Sequence, residues 1–219
     1  MTPRYLHAKM TVIPALTLGL ALGLRHATDA DHIAAVGTLS THGRSLWRAA
    51  SVGATWGIGH SLSVLLVGGA LVIMRLPMPV RIALALEFLV ALMLIGLGVR
   101  SIVARQRAGT VPAARPLLIG VMHGLAGSAV LALLVISTTS SALGAAVYLV
   151  CFCLGTIAGM ATVTVLLTLP VRASAKHAVR IERFVRVAAG IGSIAIGLSL
   201  AHQVGIEDGL FAATPSLAP

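Results

Sequence analysis

Residues 79–103 read PVRIALALEFLVALMLIGLGVRSIV, and between Arg81 and Arg100 the only charged residue is Glu87. At about 1.5 Å of rise per residue, some 20 such residues cross the hydrocarbon of a bilayer as a helix. A soluble domain needs roughly a quarter of its residues charged to face water. This chain of 219 residues has 10% charged residues, 58% hydrophobic ones and a mean hydropathy of +0.99. It reads as an integral membrane protein. Its spans are expected to be helices, because open strands leave backbone groups unpaired in lipid.

Five further stretches of spanning length lie outward from this one, at residues 10–37, 46–75, 116–138, 142–170 and 184–206. The expectation is an all-α protein of about six transmembrane helices in one transmembrane domain over residues 1–219. Arg4 and Lys9 precede the apolar stretch MTVIPALTLGLALGL, but no small-x-small cleavage site and soluble domain follow. That segment reads as a retained first span rather than a secretory signal. Cys151 and Cys153 in CFC point about 200° apart on a helix, which suits packing better than a disulfide or a shared metal.

The net charge of +10 and pI near 11.5 would suggest nucleic acid in a soluble protein. Here the basic residues lie between apolar runs, so they orient the chain and no nucleic-acid partner is expected. One set of connections holds eleven Lys and Arg: Arg44, Arg48, Arg100, Arg105, Arg107, Arg115, Arg172, Lys176, Arg180, Arg183 and Arg186. The other holds four: Arg4, Lys9, Arg75 and Arg81. The richer side is expected in the cytoplasm of a bacterial inner membrane, with both termini outside.

The halves 1–107 and 108–219 resemble each other weakly. GLRH at 23–26 matches GVMH at 120–123, HSLSVLL at 60–66 aligns with ATVTVLL at 161–167, and IGLGV at 95–99 with IGLSL at 196–200. With three spans each, the halves would enter the membrane in opposite directions. Inverted repeats of this kind are a common transporter architecture, with the substrate site between repeats near the midplane.

Against this apolar background stands RHATDADHI at residues 25–33. Ionisable groups at membrane depth cost several kcal/mol and persist mainly where they function or are paired. On a regular helix His26, Asp29 and His32 fall at about 0°, 300° and 240°, on one face, while Asp31 falls at about 140°, off it. Asp31 would join the others only through a helix break or by supporting a neighbour. Imidazoles with carboxylates suit nickel, cobalt, zinc or copper better than magnesium or calcium, and such a site competes with protons. An ion pair between Arg25 and Asp29 is the structural alternative.

His60, in WGIGHSLS, and His123, in GVMHGLAGS, also lie at membrane depth and read as ligands or as hydrogen-bonded core histidines. The match of His26 with His123 favours a ligand role for His123. Glu87 fits a proton relay or an ion pair with Arg81, and His202 fits an interfacial histidine or a ligand on the way in. Ser61, Ser63 and Ser128 are small hydroxyls suited to coordination or to helix packing. His7, His42 and His177 sit in connections.

With these residues in place, the sequence resembles the nickel/cobalt transporter family, whose signature is a His, four residues, then Asp-His. Here that is His26, Asp31 and His32, with Asp29 also in the family's place, and GHS at 59–61 is similar to the motif of the next helix. The acidic motifs of later helices in long members are missing, since GMATVTVLL at 159–167 carries no acid. GVMHGLAGSA instead resembles the shorter branch that includes urease-accessory membrane proteins. The resemblance implies a secondary transporter, not an enzyme, that binds Ni2+ or Co2+ transiently at His26, Asp29, Asp31, His32, His60 and His123. The partners implied are the ion, the bilayer and a nickel-enzyme maturation system or partner subunit. A membrane-embedded metalloenzyme is the reading from another class, though no HExxH or dense histidine box is present.

Overall fold

The computed structural model describes residues 12–39, 45–76, 78–103, 112–138, 141–173 and 178–215. The connection residues Arg4, His7, Lys9, His42, Arg44, Arg105, Arg107, Lys176 and His177 lie outside the described residues. Among those described, the chain is helical and has no strand. The helices are α1 (Val12–His26), α2 (Ala30–Leu39), α3 (Leu46–Ser63), α4 (Gly69–Met74), α5 (Val80–Val103), α6 (Ala114–Thr138), α7 (Ala142–Ala173) and α8 (Ala178–His202). A wide π turn, Val64–Gly68, carries α3 into α4 without ending the rod. The stretches Leu46–Met74, Val80–Val103, Ala142–Pro170 and Arg180–Glu207 are long and apolar enough to cross a membrane.

The exterior is apolar and the interior partly polar, the reverse of a soluble domain. Leu66, Leu118, Leu154 and Leu198 are exposed, whereas His32, His60, His123, Thr156 and Thr164 are buried. Leucines facing outward along several helices suit lipid, where burial supplies no gain and close packing must hold the helices together.

Glycines provide that packing. A methyl group at Gly120 of α6 would run into the backbone of Trp56 and His60 on α3, and one at Gly59 of α3 into Leu117 on α6. Likewise Gly23 of α1 lies against the Phe152 carbonyl of α7, and Gly155 of α7 against the Leu20 carbonyl of α1. On α5 and α8, Gly98 faces the Gly190 carbonyl while Gly197 faces that of Ala91. Residue numbers rise together where α1 meets α7 and α3 meets α6, so those pairs run parallel. They run in opposite senses where α5 meets α8, and where Gly53 and Gly57 of α3 meet Met160 and Ile157 of α7.

The first expected span is not one helix. The chain turns at Ala27–Asp29, where Thr28 N–H donates to Arg25 O and Asp29 N–H to His26 O. The helix then restarts, with Ile33 N–H donating to Asp29 O. This corrects the regular-helix placement of His26, Asp29 and His32 on one stripe. The break falls after His26, while Gly23 lies inside α1 and is packed against α7.

The packing bears on Gly120 directly. Gly120→Val is expected to cost about 1–3 kcal/mol through overpacking against rigid backbone, read as a lowered thermal midpoint in detergent. Gly96→Ala, where nothing lies within 4 Å of the new methyl, should leave that midpoint unchanged or raise it, because alanine is the better helix former.

Candidate metal centre

The turn at Ala27–Asp29 does what a regular helix would not. It carries Asp31 to the inner side, where its Oδ1 lies 3.0 Å from His32 Nδ1 and its Oδ2 lies 2.7 Å from His123 Nε2 on α6. Asp29 takes another role: its Oδ2 accepts from His26 Nδ1 at 2.8 Å, and its side chain is 47% exposed. The alternative pairing of Asp29 with Arg25 is therefore replaced by Asp29 with His26.

The four imidazoles converge from four helices, α1, α2, α3 and α6. Ring centroids of His26 and His32 are 4.3 Å apart, those of His26 and His60 5.2 Å, and those of His32 and His123 4.3 Å. His32, His60 and His123 are at most 3% exposed. Close approach of α6 to α3 is what brings His123 beside His60, since Gly120 and Gly124 both lie on the α3 backbone at that level. Trp56, one turn before His60, closes the site against His32 and His123, and the Phe152 ring of α7 lies tilted beside His26. Neither aromatic was singled out from sequence, although Trp56 stands four residues before His60 and so shares its helix face.

Carboxylates occupy Nδ1 of both His26 and His32, which fixes their rings and leaves Nε2 of each as the nitrogen able to face an ion. His32 Nε2 is buried without a hydrogen-bond partner, and so are both ring nitrogens of His60. A buried polar group in that condition costs about 1–3 kcal/mol, and a coordinated cation would offset that cost. One donor atom from each of His26, His32 and His60 lies within 4.8 Å of the other two. The same holds for Asp31, His32 and His123.

The remaining sequence candidates lie elsewhere. Ser61 and Ser63 hydroxyls donate to the carbonyls of Cys153 on α7 and Val121 on α6, joining helices, whereas Ser128 donates back to Gly124 within α6. Cys151 and Cys153 are free thiols, and Cys153 lies against the Ser61 carbonyl. Arg81 donates to the carbonyls of Ala212 and Ala213, so its expected pairing with Glu87 is not the contact it makes. His202 sits at the exposed end of α8, 3.5 Å from Glu207.

Residues 12–110 match the NicO family, described as high-affinity nickel-transport protein. The chain is 31% identical over 222 residues to the urease accessory protein UreH of Bacillus sp. (strain TB-90), an alignment covering 93% of this chain and 97% of that relative. No solved structure matches. The polar island, the apolar helices around it and this near full-length similarity agree: the chain is a multi-pass membrane protein of the NicO family of high-affinity nickel-transport proteins, which are transporters and not enzymes.

Proposed function

We propose that this chain is a six-span secondary transporter for Ni2+, with Co2+ as the second choice, working as an importer in a bacterial inner membrane. The observation that carries the reading is the trio His26, His32 and His60, whose donor atoms lie within 4.8 Å of one another, with His32 and His60 buried and His26 partly buried. Imidazole donors favour late first-row divalent ions over magnesium and calcium. In this site the ligating nitrogens are Nε2 of His26 and His32 with a ring nitrogen of His60. Asp29 and Asp31 orient those rings and balance the charge of the ion, instead of all six candidate residues binding it at once.

The helix directions support six alternating crossings, made in turn by α1 with α2, α3 with α4, α5, α6, α7 and α8. Under alternation the first and fifth crossings run parallel, as do the second and fourth, while the third and sixth oppose. The glycine contacts described above obey each of these relations. They also support an inverted repeat with its own register. Gly23 pairs with Gly120 at an offset of 97, Gly59 with Gly155 at 96, and Gly98 with Gly197 at 99. These offsets differ from the 101 suggested by apolar sequence likeness in the second and third spans. The extensive interfaces join helices of different halves: α1 with α7, α3 with α6 and with α7, and α5 with α8. A half is therefore not a rigid body. Alternating access fits better as movement of the α5–α8 pair against a body of α1, α3, α6 and α7 than as one half rocking on the other.

No nucleotide-binding motif is present in the sequence, so the energy for transport comes from an ion gradient, the membrane potential or a separate partner chain. An inward-negative potential favours cation uptake by about 2.3 kcal/mol per charge per 100 mV. The likeness to a urease accessory protein supports delivery of the imported ion to a nickel-enzyme maturation system.

Nickel accumulation in cells stripped of their own importers tests this reading. The intact protein should raise cell nickel above an empty vector, and His26→Ala or His60→Ala, at equal membrane abundance, should return it to the vector level. Accumulation below the vector, restored by the same substitutions, would reverse the direction of transport; no difference among the strains would sink nickel transport. Asp29→Asn should keep capacity but weaken apparent affinity about 10–100-fold, as expected when the partner of a ligating histidine is lost. Uptake should also fall as the outside is acidified, because protons compete with the ion for imidazole nitrogens.

A further inference from the structure

We propose a second ion position, formed by Asp31, His32 and His123, that shares His32 with the three-histidine position and is filled only when that one is empty. This rests on the metal-transport reading above. One donor atom from each of the three residues lies within 4.8 Å of the other two, and Asp31 already touches both rings, at His32 Nδ1 and His123 Nε2. His32 and His123 are buried and their ring centroids are 4.3 Å apart. The trio also differs in origin. His26, His32 and His60 belong to the first half of the chain, whereas His123 comes from the second.

Exclusivity follows from imidazole chemistry. A neutral ring has one lone-pair nitrogen, the other carrying the proton. With the ion on the three-histidine position, His32 Nε2 ligates and Nδ1–H donates to Asp31 Oδ1. In that state His123 Nε2–H also donates to Asp31 Oδ2. With the ion on the second position, His32 Nδ1 and His123 Nε2 ligate beside the Asp31 carboxylate, and the ring protons reside on His32 Nε2 and His123 Nδ1. Each ring keeps its one proton, which changes nitrogen as the ion changes side, so net protonation is unchanged. The same ring cannot serve two ions at once. His32 is thus a pivot across which the ion passes from an all-imidazole position within one half to a mixed nitrogen–oxygen position that bridges the halves.

The test uses purified full-length protein. Equilibrium dialysis with Co2+ gives stoichiometry, visible absorption of bound Co2+ reports the donor set, and Ni2+ flux is read in proteoliposomes. The intact chain should bind one Co2+. His60→Ala and His123→Ala should each still bind one, with different spectra, while His32→Ala should weaken binding at least 100-fold. His123→Ala should keep the affinity within about threefold yet lose at least tenfold in flux. His123→Gln retains a donor to Asp31 but lacks the ligating nitrogen; it should lose flux equally, and flux restored by Gln would overturn the proposal. So would two ions per intact chain, or His60→Ala and His123→Ala each abolishing binding as His32→Ala does, which marks a single five-donor site. An intact chain that binds neither metal removes the transport reading itself, an outcome distinct from these.

Discussion

The Asp31 carboxylate is the constraint around which this bundle is organised. Its side chain is 31% exposed, so it is partly withdrawn from water, which favours an arrangement in which its oxygens are engaged. Both are: one meets His32 beside it in sequence, the other meets His123 from the far half. A continuous helix would aim Asp31 away from both. The turn at Ala27–Asp29 lets both contacts form, and Asp29, left nearer the surface by the same turn, becomes the group that holds His26. One local break assigns two neighbouring acids to two different histidines.

Reaching His123 requires α6 to lie almost on the backbone of α3, which only glycine allows. Gly120 and Gly124 face the backbone of Trp56 and His60, and Gly59 returns the approach from the other side. The related contact of α1 with α7, through Gly23 and Gly155, fixes the helix that ends in His26. The two contacts are counterparts, yet their consequences differ. α6 stays helical through Gly124–Gly127 where α1 breaks after His26, and His60 on α3 stands where α7 has Thr156. The glycine contacts are alike in the two helix pairs, while the histidine cluster lies beside α3 and α6.

Composition made the helical membrane class legible, because no arrangement of so few charges covers a water-facing surface. The histidines were legible as well, since a ring at membrane depth advertises itself. What sequence spacing could not give was the division of labour between Asp29 and Asp31. A 100° rotation per residue assumes one rod, and nothing in ATD at 27–29 announces a turn as a proline would. The offset between the halves is a related case: apolar runs such as HSLSVLL and ATVTVLL align at many offsets, whereas glycines pressed on particular carbonyls support the offsets proposed above. Trp56 and Phe152 went unnoticed because an aromatic in an apolar run carries no signal until a ring is found against it.

Placing the carboxylates behind the imidazoles has a consequence for release. A cargo site must hold its ion firmly enough to strip water from it and loosely enough to let it go. Two unit charges 4 Å apart attract by about 4 kcal/mol at an effective dielectric of 20, and the attraction falls inversely with distance. A carboxylate one imidazole removed from the ion thus supplies a fraction of what direct ligation would, while still fixing the ring that ligates. In the proposed three-histidine position the direct donors are neutral, and both acids stand at Nδ1 on the far side of their rings. Only a step onto Asp31 brings the ion into direct contact with negative charge, and that contact lies between the halves. Its strength then depends on how closely α6 sits against α2, so a change in packing, with no change in ligands, is enough to loosen the ion.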